Sequence, residues 1–213
     1  MSTALEDVRA KIAAQRQTVP GSYENTSFPK ISTAAKMFTL PNGTSHRGPL
    51  NCVILDYRNT RAYFPGVWNP QDPKPPVCSA RAKKIEDLAP SNDVEDKQAE
   101  TCASCPLDEW GSDPNGGKGK ACKSGVRLAL VPADFKAATP VMALDVSPTG
   151  LKSWGALLQE IEVAEKAPLE IMTSIGFNQA KAYPTLTFEA GQLVEDIETA
   201  YQLYLKAQPL LDR

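Results

Sequence analysis

The run Leu50-Asn51-Cys52-Val53-Ile54-Leu55-Asp56-Tyr57 constrains this chain more than any other stretch, because it is apolar on both of its alternating residue sets. A strand at a surface hides one face, whereas this one, rich in β-branched residues, asks for cover on both. Arg58-Asn59-Thr60 then reads as a turn and Arg61-Ala62-Tyr63-Phe64 as a returning strand, so residues 50–64 are expected to form a hairpin. Eighteen prolines in 213 residues keep helix from dominating what surrounds it.

The flanking segments can be read in order. Leu5, Val8 and Ile12 give an amphipathic helix over Thr3 to Gln17, ended by Val19-Pro20-Gly21. A short strand or turn is expected at Lys36 to Leu40, closed by Pro41-Asn42-Gly43. Prolines at 65, 70, 73, 75 and 76 favour an extended strap leading into Cys78. Val126 to Val131 and Val141 to Val146 read as strands, and Leu151, Trp154, Leu158 and Ile161 lie on one helical face. Glu170 to Phe177 and Tyr183 to Phe188 read as a strand pair, followed by a helix from about Leu193 to Lys206 with Leu193, Ile197, Ala200, Tyr201 and Tyr204 on its apolar face.

Strands outnumber helices and are joined by short turns, so the fold class is α+β. An OB-like (oligonucleotide-binding) small antiparallel β-barrel with a zinc-binding insert and flanking helices is one of several arrangements that fit. The expected organisation is an N-terminal helix at 1–21, a core at 22–190 carrying an insert at 78–124, and a C-terminal helix at 191–213.

Four of the five cysteines fall within that insert. Cys102 and Cys105 form a C-x2-C pair, Cys122 follows after sixteen residues, and Cys78 lies upstream. A tight pair with two outlying thiols supplies the four soft ligands of a structural Zn2+, and in a reducing compartment such thiols argue for metal over disulfide. The fifth, Cys52, sits in the apolar run as a buried thiol. The segment between Cys78 and Cys102 is highly charged, and a metal clipped at both ends would offset the entropy of holding it.

Catalytic constellations are thin, and no enzyme is expected. The sole histidine, His46, lies in a polar loop, which leaves no Ser/His pair or two-His zinc site. Gly116-Gly117-Lys118-Gly119-Lys120 lacks the ending and the preceding strand of a phosphate loop. A zinc deaminase would need a glutamate beside the first ligand, and Cys78 is followed by Ser79-Ala80. Four thiolates also leave zinc no open position.

Basic and aromatic residues interleave instead. Arg58, Arg61, Arg81, Lys83 and Lys84 flank Tyr57, Tyr63, Phe64 and Trp68, while Lys118, Lys120, Lys123 and Arg127 surround Cys122. Cations that track phosphates beside aromatics that stack bases are the means of sequence-tolerant single-strand binding, although Tyr57 and Phe64 are core candidates as well. Charge is mildly uneven: residues 1–150 hold 18 Lys and Arg against 16 Asp and Glu, and 151–213 hold 5 against 9. The N-terminus has no signal-like apolar run, so an intracellular, cytoplasmic protein without membrane association is expected.

The pattern Cys78...CxxCPxxxWGS...GKGKxCK, preceded by LNCVILDY and PPVCS, resembles phage and mobile-element proteins associated with single-stranded DNA binding, over roughly Met37 to Phe188. Cys78, Cys102, Cys105 and Cys122 fall at that family's cysteine positions, with Trp110-Gly111-Ser112 and Gly119-Lys120 at its loop. The resemblance implies an OB-like core with a zinc-stabilised insert, and work beside replication or recombination proteins in a host cytoplasm. One departure is that the chain ends Gln208-Pro209-Leu210-Leu211-Asp212-Arg213 after a helix, so recruitment through a flexible acidic tail is not expected. The expected function is non-catalytic binding of single-stranded DNA, with structural Zn2+ and compatibility with a homo-oligomer. The alternative is a zinc-stabilised protein-interaction factor that binds no DNA and presents Tyr201 and Tyr204 on an acidic C-terminal face.

Overall fold

The computed structural model describes residues 29–66, 74–114 and 116–212. The helix expected at Thr3 to Gln17, and Trp68 in the proline-rich strap, lie outside the described residues. A two-residue pair, β1 (Phe38–Thr39) and β2 (Ser45–His46), is turned by Pro41-Asn42-Gly43, with Gly43 at φ 86°. The main sheet then takes β3 (Leu50–Tyr63), β4 (Cys78–Ala82), β5 (Cys122–Pro132), β6 (Met142–Val146), β7 (Ile171–Phe177) and β8 (Leu186–Leu193). Two α-helices complete the described chain, α1 (Leu151–Val163) between β6 and β7, and α2 (Ile197–Leu211) after β8.

Residues 50–64 are not a hairpin. β3 runs through Arg58-Asn59-Thr60 as one strand of 14 residues, because the supposed turn is paired on both edges: Asn59 opposes Ala82 of β4 and Val126 of β5. The Asn59 side-chain amide also donates to the Lys83 carbonyl at 2.7 Å. Two ladders outweigh the local turn preference of an Arg-Asn-Thr stretch.

The expected cover on both faces is present. Cys52 and Ile54 point with Leu128, Leu130, Leu144 and Ile175 into a core closed by Trp154, Leu157 and Ile161 of α1 and by Phe38. Val53 and Leu55 point the other way, with Ala129 and Val131, against Ala200, Tyr201, Leu203, Tyr204, Ala207 and Leu211 of α2. A bulge sets the facing of the rest of the strand: Ile54 opposes Leu130 and Asp56 opposes Ala129, so Leu55 is an extra residue and the alternation shifts by one. Tyr57 therefore joins the α1 side, its ring edge-on to Trp154 at 5.1 Å, while Asp56 and Arg58 turn to α2.

All ladders of the main sheet are antiparallel, in the order β6-β5-β3-β7-β8, with β4 on the second half of one β3 edge. The expected closed barrel is not formed, since β6 and β8 end the path without pairing. The edge of β6 that closure would use is occupied: Ile31 donates to the Ala143 carbonyl at 2.8 Å and Ala143 donates back to the Pro29 carbonyl at 2.9 Å.

The last helix starts and stops later than expected. Leu193 belongs to β8 and is exposed, and Asp196 caps α2 by accepting from the Thr199 N–H at 3.0 Å. The helix then continues past Lys206 and through Pro209, held by buried Ala207 and Leu211.

Candidate metal centre and nucleic-acid interface

The cysteine site is assembled from strand ends and one tight turn. Cys78 opens β4 and Cys122 opens β5, and both are in register with Tyr63, one on each edge of β3. Their side chains share a face of the sheet for that reason. Above it, Cys102 begins a single 3-10 turn whose cap, Thr101, accepts from the Ser104 N–H at 3.3 Å, and the Cys105 N–H returns to the Cys102 carbonyl at 3.4 Å. Within the insert the Cys102 N–H donates to the Leu88 carbonyl at 3.0 Å, and the insert is tied to β4 by the Ser91 N–H, which donates to the Ser79 carbonyl at 2.8 Å.

These contacts bring all four thiols to the wall of one small cavity of about 10 Å³, with Arg61, Tyr63, Leu107 and Asp108. None of them is in a disulfide. Burial pushes the Cys122 thiol up to about 11, with the Arg61 charge opposing and Cys102 and Cys105 adding to the rise. Burial also raises Cys102, again against Arg61 and reinforced by Cys78 and Cys105. Thiols that raise one another are close neighbours, and a cation among them would reverse that penalty.

Sharing a cavity is not yet coordination. Among the described residues no group of three or more His, Cys, Asp or Glu side chains is gathered into a formed metal site. Cys78 and Cys122 stand two strand spacings apart, about 10 Å between backbones, with Tyr63 between them. The donor chemistry of the four thiols fits a thiophilic metal.

Several expected nucleic-acid contacts are committed to carboxylates. Arg58 is buried and binds Asp212 at 2.5 Å, Asp56 at 2.7 Å and the Gln208 side chain at 3.0 Å, which fastens the end of α2 to the sheet. Lys83 pairs with Asp56 and lies 3.8 Å from the Tyr57 ring centre. Arg127 holds Asp145 through two hydrogen bonds of 2.8 and 3.1 Å. Arg61 binds Asp108 at 2.6 Å and also Ser124, and Lys120 reaches the same Asp108 oxygen at 3.1 Å. Lys123 binds Asp113 at 3.2 Å.

Other expected contacts remain at the surface. Lys84 and Lys118 are exposed, Phe64 is exposed just past the end of β3, and Tyr63 is half-buried at the cavity. Tyr201 and Tyr204, considered as a partner-binding face, are instead buried against the sheet. His46 packs its ring 5.6 Å from that of Phe38. Trp110, which sequence reasoning did not place among the nucleic-acid contacts, is 80% exposed; the signal for it was its position in the W-G-S segment beside the Gly/Lys loop.

No protein-family model, curated protein or solved structure matches this chain. Among the described residues no helix is long and apolar enough to cross a membrane.

Proposed function

We propose that this chain is a non-catalytic single-stranded DNA-binding protein with an OB-like core and a zinc-stabilised insert. The observation that carries the reading is strand order. Taking β3, β5, β6, β7 and β8 as strands one to five, the sheet runs 3-2-1-4-5 with a helix between three and four. That order supports an OB-like reading in which the pairing of strand three with strand five is missing. The cysteine insert then occupies the loop between strands one and two, one of the two loops that OB domains turn toward oligonucleotides.

Cys78, Cys102, Cys105 and Cys122 would hold Zn2+, whose contribution is structural: it would pin the charged insert to the ends of β4 and β5. Lys84 and Lys118 supply exposed cations, while Lys120 and Lys123 exchange a carboxylate for a phosphate when a strand arrives. Tyr63, Phe64 and Trp68 are the base-stacking candidates of the region entering the insert. A role beside replication or recombination proteins belongs to the same reading.

Titration of a fluorescent dT oligomer across a salt series tests it. Binding with little sequence preference, weakening linearly in log affinity against log salt, is the expected result. Absence of a complex at low salt overturns the proposal. Metal analysis should give close to one Zn2+ per chain, and content far below that after gentle purification removes the zinc part.

A further inference from the structure

The three tryptophans of the chain are placed very differently. Trp154 is buried between Tyr57 and Phe188, at ring distances of 5.1 and 5.5 Å, and closes the core under α1. Trp68 lies outside the described residues. Trp110 does neither core nor cavity work: it is 80% exposed and does not line the space enclosed by the four cysteines.

Its exposure is held in place rather than left to chance. The Gly111 N–H and the Asp113 N–H both donate to the Gly119 carbonyl, at 3.0 and 3.2 Å. Ser112 Oγ donates toward the Glu109 and Leu107 carbonyls at 2.7 and 3.0 Å and accepts from the Ala121 N–H at 2.9 Å. Gly111 sits at φ 86°, in the left-handed region that lets the chain reverse directly after the tryptophan. The indole is thus carried beside backbone that is braced to residues 119–121, which lowers the loop entropy a ligand meeting it has to overcome.

The ring also has a cation beside it. Lys120 Nζ is 5.7 Å from the ring centre while bound to Asp108 at 3.1 Å, and exposed Lys118 is two residues away. A large π face next to ammonium groups matches a nucleotide, with the base on the indole and its phosphate toward the lysines. An apolar protein partner would be poorly matched by lysines at the rim.

We infer that Trp110 is a base-stacking residue for single-stranded nucleic acid, displayed by the cysteine insert with Lys118 and Lys120 as its phosphate contacts. This rests on the single-strand-binding reading and adds to it the residue on which a base is stacked. Stacking is insensitive to salt, whereas phosphate contact is not, so the two kinds of residue separate in one experiment.

The test is titration of dT oligomers into the full-length protein, W110A, W110F and K118E at several salt concentrations, with metal content and circular dichroism checked for each. W110A is expected to lose about tenfold or more in affinity at every salt concentration with an unchanged salt slope, and W110F to recover much of it. K118E is expected to lower the slope. DNA should quench the tryptophan fluorescence of the unaltered protein more than that of W110F, because Trp110 is exposed while Trp154 is buried. If the unaltered protein binds DNA and W110A binds equally well, the inference is wrong and the proposed function stands. If the unaltered protein does not bind, the proposed function fails and takes the inference with it.

Discussion

At Gly125 of β5 a Cβ would stand 2.9 Å from Thr60 Oγ1 and 2.9 Å from the Val146 carbonyl oxygen, so β3, β5 and β6 can approach there only because the side chain is missing. The carbonyl belongs to a paired strand and cannot swing away. G125A is therefore expected to cost about 1–3 kcal/mol of stability, read as a lower urea midpoint with an unchanged slope. Asp56 belongs to the same scale. Burial pushes its carboxyl up, but the charges of Lys83 and Arg58, with hydrogen bonds from Lys83 and Gln208, bring it below its ordinary 3.8. A carboxyl lowered on folding gives stability that is complete above the unfolded value and is lost as pH falls through the folded one, so the loss lies below about pH 4. The urea midpoint should fall between pH 6 and pH 3, and should fall less in D56N. None of this was legible in the sequence, where Arg58 beside Tyr57 reads as a solvated or DNA-facing cation; its partner Asp212 is 154 residues away.

Among the elements, the cysteine insert shows most clearly what local sequence can and cannot tell. A C-x2-C spacing ending in proline prescribes its own turn, and the structure has that turn at Cys102–Ser104. What holds the turn over the strand ends is non-local, the Ser91 and Cys102 amides reaching Ser79 and Leu88. Under the proposed zinc clip, chelation or a C102S/C105S double substitution should make residues 83–121 sensitive to limited proteolysis. The sheet, whose cores lie elsewhere, should keep its far-ultraviolet circular dichroism. Global unfolding on chelation would instead make the metal part of the main core. β3 teaches the reverse lesson, since a stretch with good turn residues became the middle of a 14-residue strand once β4 and β5 lay along it.

For the molecule as a whole, the sheet is sandwiched between α1 with Phe38 on one side and α2 on the other, and the second layer depends on the last turns of the chain. Leu211 is fully buried there, one residue before the Asp212 that binds Arg58. L211A is expected to cost about 2–5 kcal/mol, measurable as a drop of several degrees in Tm. A negligible change would mean that the outer layer does not need the end of α2. The sequence by itself determined that residues 50–57 would be a strand covered on both faces and that α1 would follow a strand pair, because hydrophobic alternation and helical spacing act over neighbouring residues. The tertiary structure alone decided that Leu55 bulges and so sends Asp56 and Arg58 to α2, that Pro29–Ile31 occupies the edge of β6 and leaves the barrel open, and that Trp110 stands in solvent while Tyr201 and Tyr204 do not. Each of those outcomes is set by which distant segment arrives at an edge or a face, and a pairing between residues far apart in the chain leaves no period or spacing in the local sequence to announce it.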